Sequence, residues 1–508
     1  MSTVLRDEEG VKYLIKEGLC ETLTDMIVGV TEKGGCYVKG MEEILWKRDD
    51  VMEEIVRRGK GRKVIENIYG DEEGRTKDVF ERGDCKEVLK MLYIKTVLMT
   101  GTGLGTRKKC LALPSIKSLR SSPSLSNRLE LSLLKKGSTT ELGNYASCLT
   151  KLHDPGENFA KGMEDNYSTL RVLFTRHCEL KAASRLLNYA SKYGHPIPLL
   201  QSVLTGPEVT NRIVKGLKHD KRYRVVGGAR EGGEYVMGVG KLGYKGDWGI
   251  QESDGIFRTI GDVIISSGSI TDFSNYLWGI CMVDGGLGGM EMLELDWVRD
   301  IVKEMWMILP IDGEEVIQDI HINKLRNVIV ATKAAGIELP LDDARMLRWG
   351  EEEYGINLEN AFNKNKKVDN FSGDVSRRMY KLDIAKTWGR WNSPLKYTEG
   401  GRGWGGGEDS DMAIQYAWKA ENVAWVLDGR NFFRRGTKEE PNGLHKVKGR
   451  VLESQGWKVK RTSWYEWNEA KRNLGKREMK EWIVGGMKEV GVDFKYRHEQ
   501  EWKDDDIY

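Results

Sequence analysis

From about residue 139 the chain repeats itself weakly, and this recurrence limits what it can fold into more than any other feature. The segments Asn144-YASCLTKL-His153, Arg185-LLNYASKY-Gly194, Glu234-YVMGVGKL-Gly243, Asn275-YLWGICMV-Asp284 and Asn327-VIVATKAA-Gly336 share one character. Each is an apolar and small-residue stretch that ends near Gly, His or Asp. Their ends recur at roughly 40–50 residues, the pitch of helix-pair repeats. Ala, Gly and Ser inside them suit helices whose backbones approach closely. The alternative is a non-repeating helical domain in which glycine only terminates helices. Proline is scarce, at 10 residues, whereas glycine numbers 59, which fits many helices separated by glycine turns rather than a proline-rich disordered chain.

The flanking segments divide the chain further. Over residues 1–110, Val51-Ile55-Val56 and Val88-Leu89-Met91-Leu92-Ile94 predict helices. Residues 111–138 are Ser-rich and basic and predict a linker. The repeat array is expected over 139–398 and a Gly-rich linker over 399–410, where the run is EGGRGWGGG. A last domain spans 411–490, and an acidic tail follows over 491–508. Ten of the 16 Trp lie at or after Trp388, which marks the final domain as a change in composition.

Composition narrows compartment and chemistry. The seven cysteines are scattered and form no C-x-x-C pair, which argues against a disulfide framework or a zinc ribbon and for a reducing interior. No run approaches the ~18 apolar residues of a membrane helix, so no membrane partner is expected. The N-terminus mixes acids and bases and has neither a secretory apolar core nor the look of a transit peptide. Lys+Arg is 80 and Asp+Glu 77, for a net charge of +3. A uniformly basic coat is thereby excluded, and any nucleic-acid surface must come from local charge segregation.

That segregation occurs near the C-terminus. Met412–Trp418 and Val423–Leu427 predict two strands, with Asp428-Gly429 a turn. Leu444, Val447, Val451 and Leu452 predict an amphipathic helix that Gly456 terminates. Trp457–Thr462 predicts a third strand with one buried and one basic face, and Asn468 is expected to cap a helix running to about Gly485. Lys446, Lys448, Arg450, Lys458, Lys460 and Arg461 are candidate phosphate contacts, with Arg434 and Arg435 in the preceding loop. Trp464 and Trp467 are candidate stacking faces for bases. For Trp467 a core position is the competing reading.

The ordered run Asp411-MAIQYAWKAENVAWVL-Asp428-Gly429-RNFF, then Lys448-GRV-Leu452-Glu453-SQ-Gly456-Trp457-K-Val459, then Glu466-Trp467, resembles a RAP domain. This is an RNA-binding domain at the C-terminus of many organellar helical-repeat proteins. The upstream segments are similar to the degenerate repeats of FAST kinase-like and octotricopeptide-type proteins. The resemblance implies a mainly α fold, with α-solenoid-like helical repeats followed by a small α/β restriction-endonuclease-like domain. It implies organellar RNA, ribosomal or messenger, as the partner, in mitochondria or, as second choice, plastids. Ribosomal proteins are further candidate partners, and no DNA is expected.

Nuclease relatives of this fold hold Mg²⁺ on clustered carboxylates; Asp411 matches the position of the first metal-binding aspartate, and Asp428, at the end of the second strand, is expected to approach it. Val426, however, stands where active relatives often carry a carboxylate. Asn431-Phe432-Phe433 stands where some carry histidine. Asp411 and Asp428 are therefore expected to be relics, with no catalysis, metal or cofactor. A metal-dependent endoribonuclease and a protein scaffold without RNA contact are the alternatives.

Overall fold

In a computed structural model, the described residues are 8–32, 39–69, 85–100, 123–152, 154, 156–193, 202–219, 228–242, 255–283, 295–308, 324, 328, 374–375, 416–418, 423–429, 443–454 and 456–491. The chain divides into two compact units, residues 1–309 and 310–508. The proposed linker over 399–410, the tail over 491–508 beyond Gly491, and the fifth repeat segment apart from Val328 lie outside the described residues.

The first unit is helical throughout its described residues. In chain order it contains α1 Glu8–Glu17, α2 Cys20–Glu32, α3 Lys39–Lys47, α4 Asp49–Arg57, α5 Gly61–Tyr69, α6 Cys85–Thr100, α7 Pro123–Lys136 and α8 Thr139–Leu152. Then follow α9 Glu157–Asp165, α10 Tyr167–His177, α11 Leu180–Tyr193, α12 Pro207–His219, α13 Gly228–Leu242, α14 Ile256–Ser267, α15 Ile270–Met282 and α16 Asp296–Ile308. The apolar stretches at Val51 and Val88 fall on α4 and α6, as their spacing predicts. The linker expected over 111–138 differs in its second half, because α7 buries Leu129, Leu133 and Leu134. Serines at the start of a helix are compatible with an apolar stripe further along it.

Four of the recurring segments fall on α8, α11, α13 and α15. Together with α6, these helices pack in a row, each against the next, while α7, α9, α10, α12, α14 and α16 form a second row beside it. One device joins the rows. Tyr145, Tyr189, Tyr235 and Tyr276, one in each of the four segments, are at most 2% exposed. Their hydroxyls donate to Glu130 Oε1 at 2.8 Å, Gly156 O at 3.0 Å, Leu204 O at 3.1 Å and Phe257 O at 2.8 Å, each toward the second row. A buried phenol needs such an acceptor, so the same residue type serves the same purpose in successive helices.

Glycine sets the spacing within the row. A methyl group at Gly279 of α15 would fall 2.7 Å from the Met237 amide nitrogen of α13. One at Gly143 of α8 would fall 3.0 Å from Ala182 Cα of α11. Backbones can meet at these points only where no Cβ intervenes.

The second unit holds a three-stranded sheet in the order β1-β2-β3, with β1 Tyr416–Trp418, β2 Val423–Asp428 and β3 Lys458–Ser463. β1 and β2 are antiparallel, and β2 and β3 are parallel with Ala424 opposite Val459 and Asp428 opposite Ser463. α17 Gly443–Ser454 crosses between β2 and β3, and α18 Trp464–Asn473 and α19 Lys476–Lys488 follow. β2 is buried along its whole length because both faces are covered. Val423, Trp425 and Leu427 pack with Trp467, Met479 and Ile483 of α18 and α19, whereas Ala424 and Val426 pack with Leu452 of α17. Gly456 ends α17 with φ of 77°. The single final helix expected from Asn468 is two helices. Ser463 caps α18 by a reciprocal box with Glu466, at 2.7 and 3.0 Å, and the chain breaks at Leu474-Gly475 before α19.

In the first unit, a groove of about 780 Å³ opens between α4 and the row helices α8, α11 and α13. Burial alone would raise Asp49 there, but Arg185, Lys181 and the Tyr93 hydroxyl outweigh it and hold the carboxyl well below the usual carboxylate range. Glu231 moves the other way: burial, reinforced by Asp49 and Glu234, raises it to about 7 against the pull of Lys181 and Arg185.

Two outcomes follow for this unit. Gly279→Ala should lower stability by about 1–3 kcal/mol through overpacking, while Gly29→Ala in α2, where a methyl meets nothing within 4 Å, should be neutral or stabilising; urea titrations of both variants check the contrast. The folded chain keeps a proton on Glu231 that the unfolded chain releases between the reference 4.5 and about 7. This group therefore makes stability fall as pH rises through that window. Glu231→Gln should flatten the fall, which thermal melts from pH 4.5 to 7.5 measure.

Candidate nucleic-acid interface

β3 is the edge strand next to β2, and its alternation decides where each cation points. The register places Lys458, Lys460 and Thr462 on the face covered by α18 and α19, and Val459, Arg461 and Ser463 on the face covered by α17. The expected division into one buried and one basic face is therefore incorrect, because basic residues leave β3 on both sides. Thr462 turns inward and accepts a 2.8 Å hydrogen bond from the Trp425 indole.

Arg461 is not available as a free phosphate contact. Its guanidinium donates to Asp428 Oδ2 at 3.0 Å, with Asp428 only 1% exposed and Arg461 22%. A methyl at Gly449 of α17 would lie 3.0 Å from the guanidinium, so the absence of a side chain there makes room for Arg461. Lys460 is likewise engaged. It runs across Gly486 of α19 and reaches Glu489 at 3.4 Å. The sequence reading treats Arg461 and Lys460 as surface cations because it cannot see which acids the fold brings opposite them.

Trp467 does not present a stacking face. It is fully buried, and its indole donates to Asp374 at 3.0 Å, which corrects its candidacy and favours the core reading. Trp464 is half-buried. It packs against the same core and meets Tyr465 edge-on, with ring centroids 5.4 Å apart. Trp464 and Tyr465 thus form a partly exposed aromatic pair at the start of α18.

Lys458 is exposed on β3, and Lys446 is half-buried on α17. Lys448 and Arg450 lie on α17, but their side chains are outside the described residues, as are Arg434, Arg435 and Asp411. Further cations of the basic run over residues 441–480 gather at the α18–α19 junction, where Lys471, Arg472, Lys476 and Arg477 are all exposed. Lys471 pairs with Asp374 at 2.8 Å and Arg477 with Glu481 at 3.0 Å. The Leu474-Gly475 break turns the chain between two basic helix ends and brings these cations together.

Asp428, the candidate carboxylate within the described residues, is not set to hold a divalent ion. Asp428 faces a guanidinium, whose fixed positive charge occupies the electrostatic position a metal would require. Among the described residues, no group of three or more His, Cys, Asp or Glu is placed to hold a metal ion, and no helix is long and apolar enough to cross a membrane.

This small α/β arrangement, with a sheet between α17 and the pair α18–α19, has a family counterpart. Residues 425–481, from β2 into α19, match the family model of the RAP domain. The likeness is confined to that segment, and RAP domains are linked in general to RNA binding. A search of curated proteins finds no match to the chain.

Removing Arg461 would strand a buried carboxylate. Arg461→Ala should therefore cost about 3 kcal/mol, and Asp428→Asn combined with Arg461→Met should recover part of the loss. Chemical denaturation followed by tryptophan fluorescence checks this, and equal stability of wild type and Arg461→Ala would show the pair to be idle.

Proposed function

We propose that this chain binds RNA through its RAP domain without cleaving it. The observation that carries the reading is the Asp428–Arg461 pair, which commits the nuclease-like carboxylate to an internal cation and leaves the exposed cations of β3 and the α18–α19 junction to meet a backbone. Phosphates pair with Lys458, Arg472 and Lys476, releasing counterions, while Trp464 and Tyr465 offer aromatic surface to an unstacked base.

The wider role goes with the same reading. The two helix rows of the first unit support reading it as an α-solenoid, in which each repeat contributes one helix to each row. The protein belongs with the organellar helical-repeat proteins of the FAST kinase-like and octotricopeptide type and acts in mitochondria. There it serves as a structural or assembly component on ribosomal RNA, or in RNA processing and stability. A chain of near-zero net charge suits a fixed place within a ribonucleoprotein better than scanning of free messenger RNA.

Replacing Lys458, Arg472 and Lys476 together by alanine should weaken binding of a single-stranded RNA about tenfold and reduce its salt slope by about 2. Unchanged affinity in fluorescence anisotropy would remove this surface from the interface. Mg²⁺-dependent cleavage by the purified chain, abolished in Asp428→Ala, would instead establish the endoribonuclease reading.

A further inference from the structure

Three successive helices of one row put cations into the groove of the first unit, Lys151 from α8, Lys181 and Arg185 from α11, and Arg230 from α13, beside the acids Glu141 of α8 and Glu231 and Glu234 of α13. Such a set of cations is what a polyanion seeks. Two acids of α4 already occupy it. Asp49 takes Lys181 at 2.9 Å and also pairs with Arg185, while Glu53, one turn further along the same helix, pairs with Arg230. Arg185 additionally holds Asn144, and Arg230 holds Glu234 at 3.2 Å. Lys151 feels the charges of Asp49 and Glu234 and has no ion pair among the described residues.

α4 reaches this position from outside the row. Its own docking is with α2 and α6, and its neighbour Arg48 fastens it to α1, donating to Gly18 O at 2.8 Å and pairing with Asp50 at 2.7 Å. Asp50 is thus directed away from the row cations, and Asp49 and Glu53 are directed into them. The contact is more solvated at one end. Asp49 and Arg185 are 20% and 10% exposed, whereas Glu53 and Arg230 are 44% and 40% exposed. A contact with one buried and one open ion pair can be opened from the open end.

We propose that α4 is an autoinhibitory strap: Asp49 and Glu53 occupy a second, phosphate-binding groove on α8, α11 and α13, so that α4 and a phosphodiester backbone bind the same cations in mutually exclusive fashion. The proposal rests on the RNA-binding reading for the identity of the competitor. It differs in placing a concealed anion site in the first unit, away from the RAP domain. An incoming backbone enters at Glu53–Arg230, where both partners are solvated, and displaces Asp49 last.

The test uses the full chain as wild type, Glu53→Gln, and Asp49→Asn with Glu53→Gln. The single variant alters a solvated pair and guards against loss of the fold in the double. Binding of a 20-nucleotide single-stranded RNA should strengthen about tenfold in the double variant, with a salt slope steeper by about 2, as three further cations become free. RNA crosslinks should appear on α11 and α13, and saturating RNA should accelerate amide exchange in α4 of the wild type. Unchanged affinity in both variants, with α4 equally protected with and without RNA, would overturn the strap and leave Asp49 and Glu53 as a structural clamp. If the wild type binds no RNA, the RNA reading fails by itself. Pyrophosphate then decides the strap: calorimetric binding to the variants but not the wild type supports it, and binding to neither overturns it.

Discussion

Close approach of backbones at glycine is the constraint on which both units depend. In the helix rows, α13 and α15 meet where Gly279 has no side chain, and the buried tyrosines of these helices reach acceptors toward the other row. The second unit uses the same absence differently. Gly449 and Gly486 leave space in which the Arg461 and Lys460 side chains lie against helices. The abundance of glycine is thus not spent on flexibility alone. Much of it sits in helices, where it costs up to about 1 kcal/mol of propensity per site relative to alanine and returns packing that no other residue permits.

Charge in this protein is mostly an internal affair. The net charge of +3 is the difference between 80 cations and 77 acids, and the cations of the two units meet different fates. In the first unit, Lys181, Arg185 and Arg230 face acids of α4 across a groove. In the second, Arg461 and Lys471 are held by Asp428 and Asp374, and a smaller set at β3 and the α18–α19 junction stays in solvent. A count of basic residues along the chain overstates the surface that can meet RNA, because burial turns several of them into counter-ions.

Much of the architecture was legible from periodicity. Four of the five recurring segments are helices of one row, and the β-β-α-β order appears where the strand and helix patterns put it. The misses share a cause. The sequence of α7 looks like a linker because its serines dominate the local composition while its leucines are buried only in the folded chain. The final helices look like one in sequence because the Leu474-Gly475 break falls within an otherwise continuous helical pattern, and the cap is Ser463 rather than Asn468. Trp467 was open to both readings, and only its burial against α19 and its bond to Asp374 decide for the core.

The sequence by itself determined that the chain is mainly helical, that its last part is a small α/β domain, and that the basic and aromatic residues gather there. These properties follow from local periodicity and composition, which neighbouring residues alone dictate. Only the tertiary structure decided which charges remain available. Arg461 against Asp428, and Asp49 against Lys181 and Arg185, join residues between 33 and 136 positions apart. No local pattern encodes such a pairing, since an ion pair depends on where two chain segments are brought by packing rather than on what surrounds either in sequence.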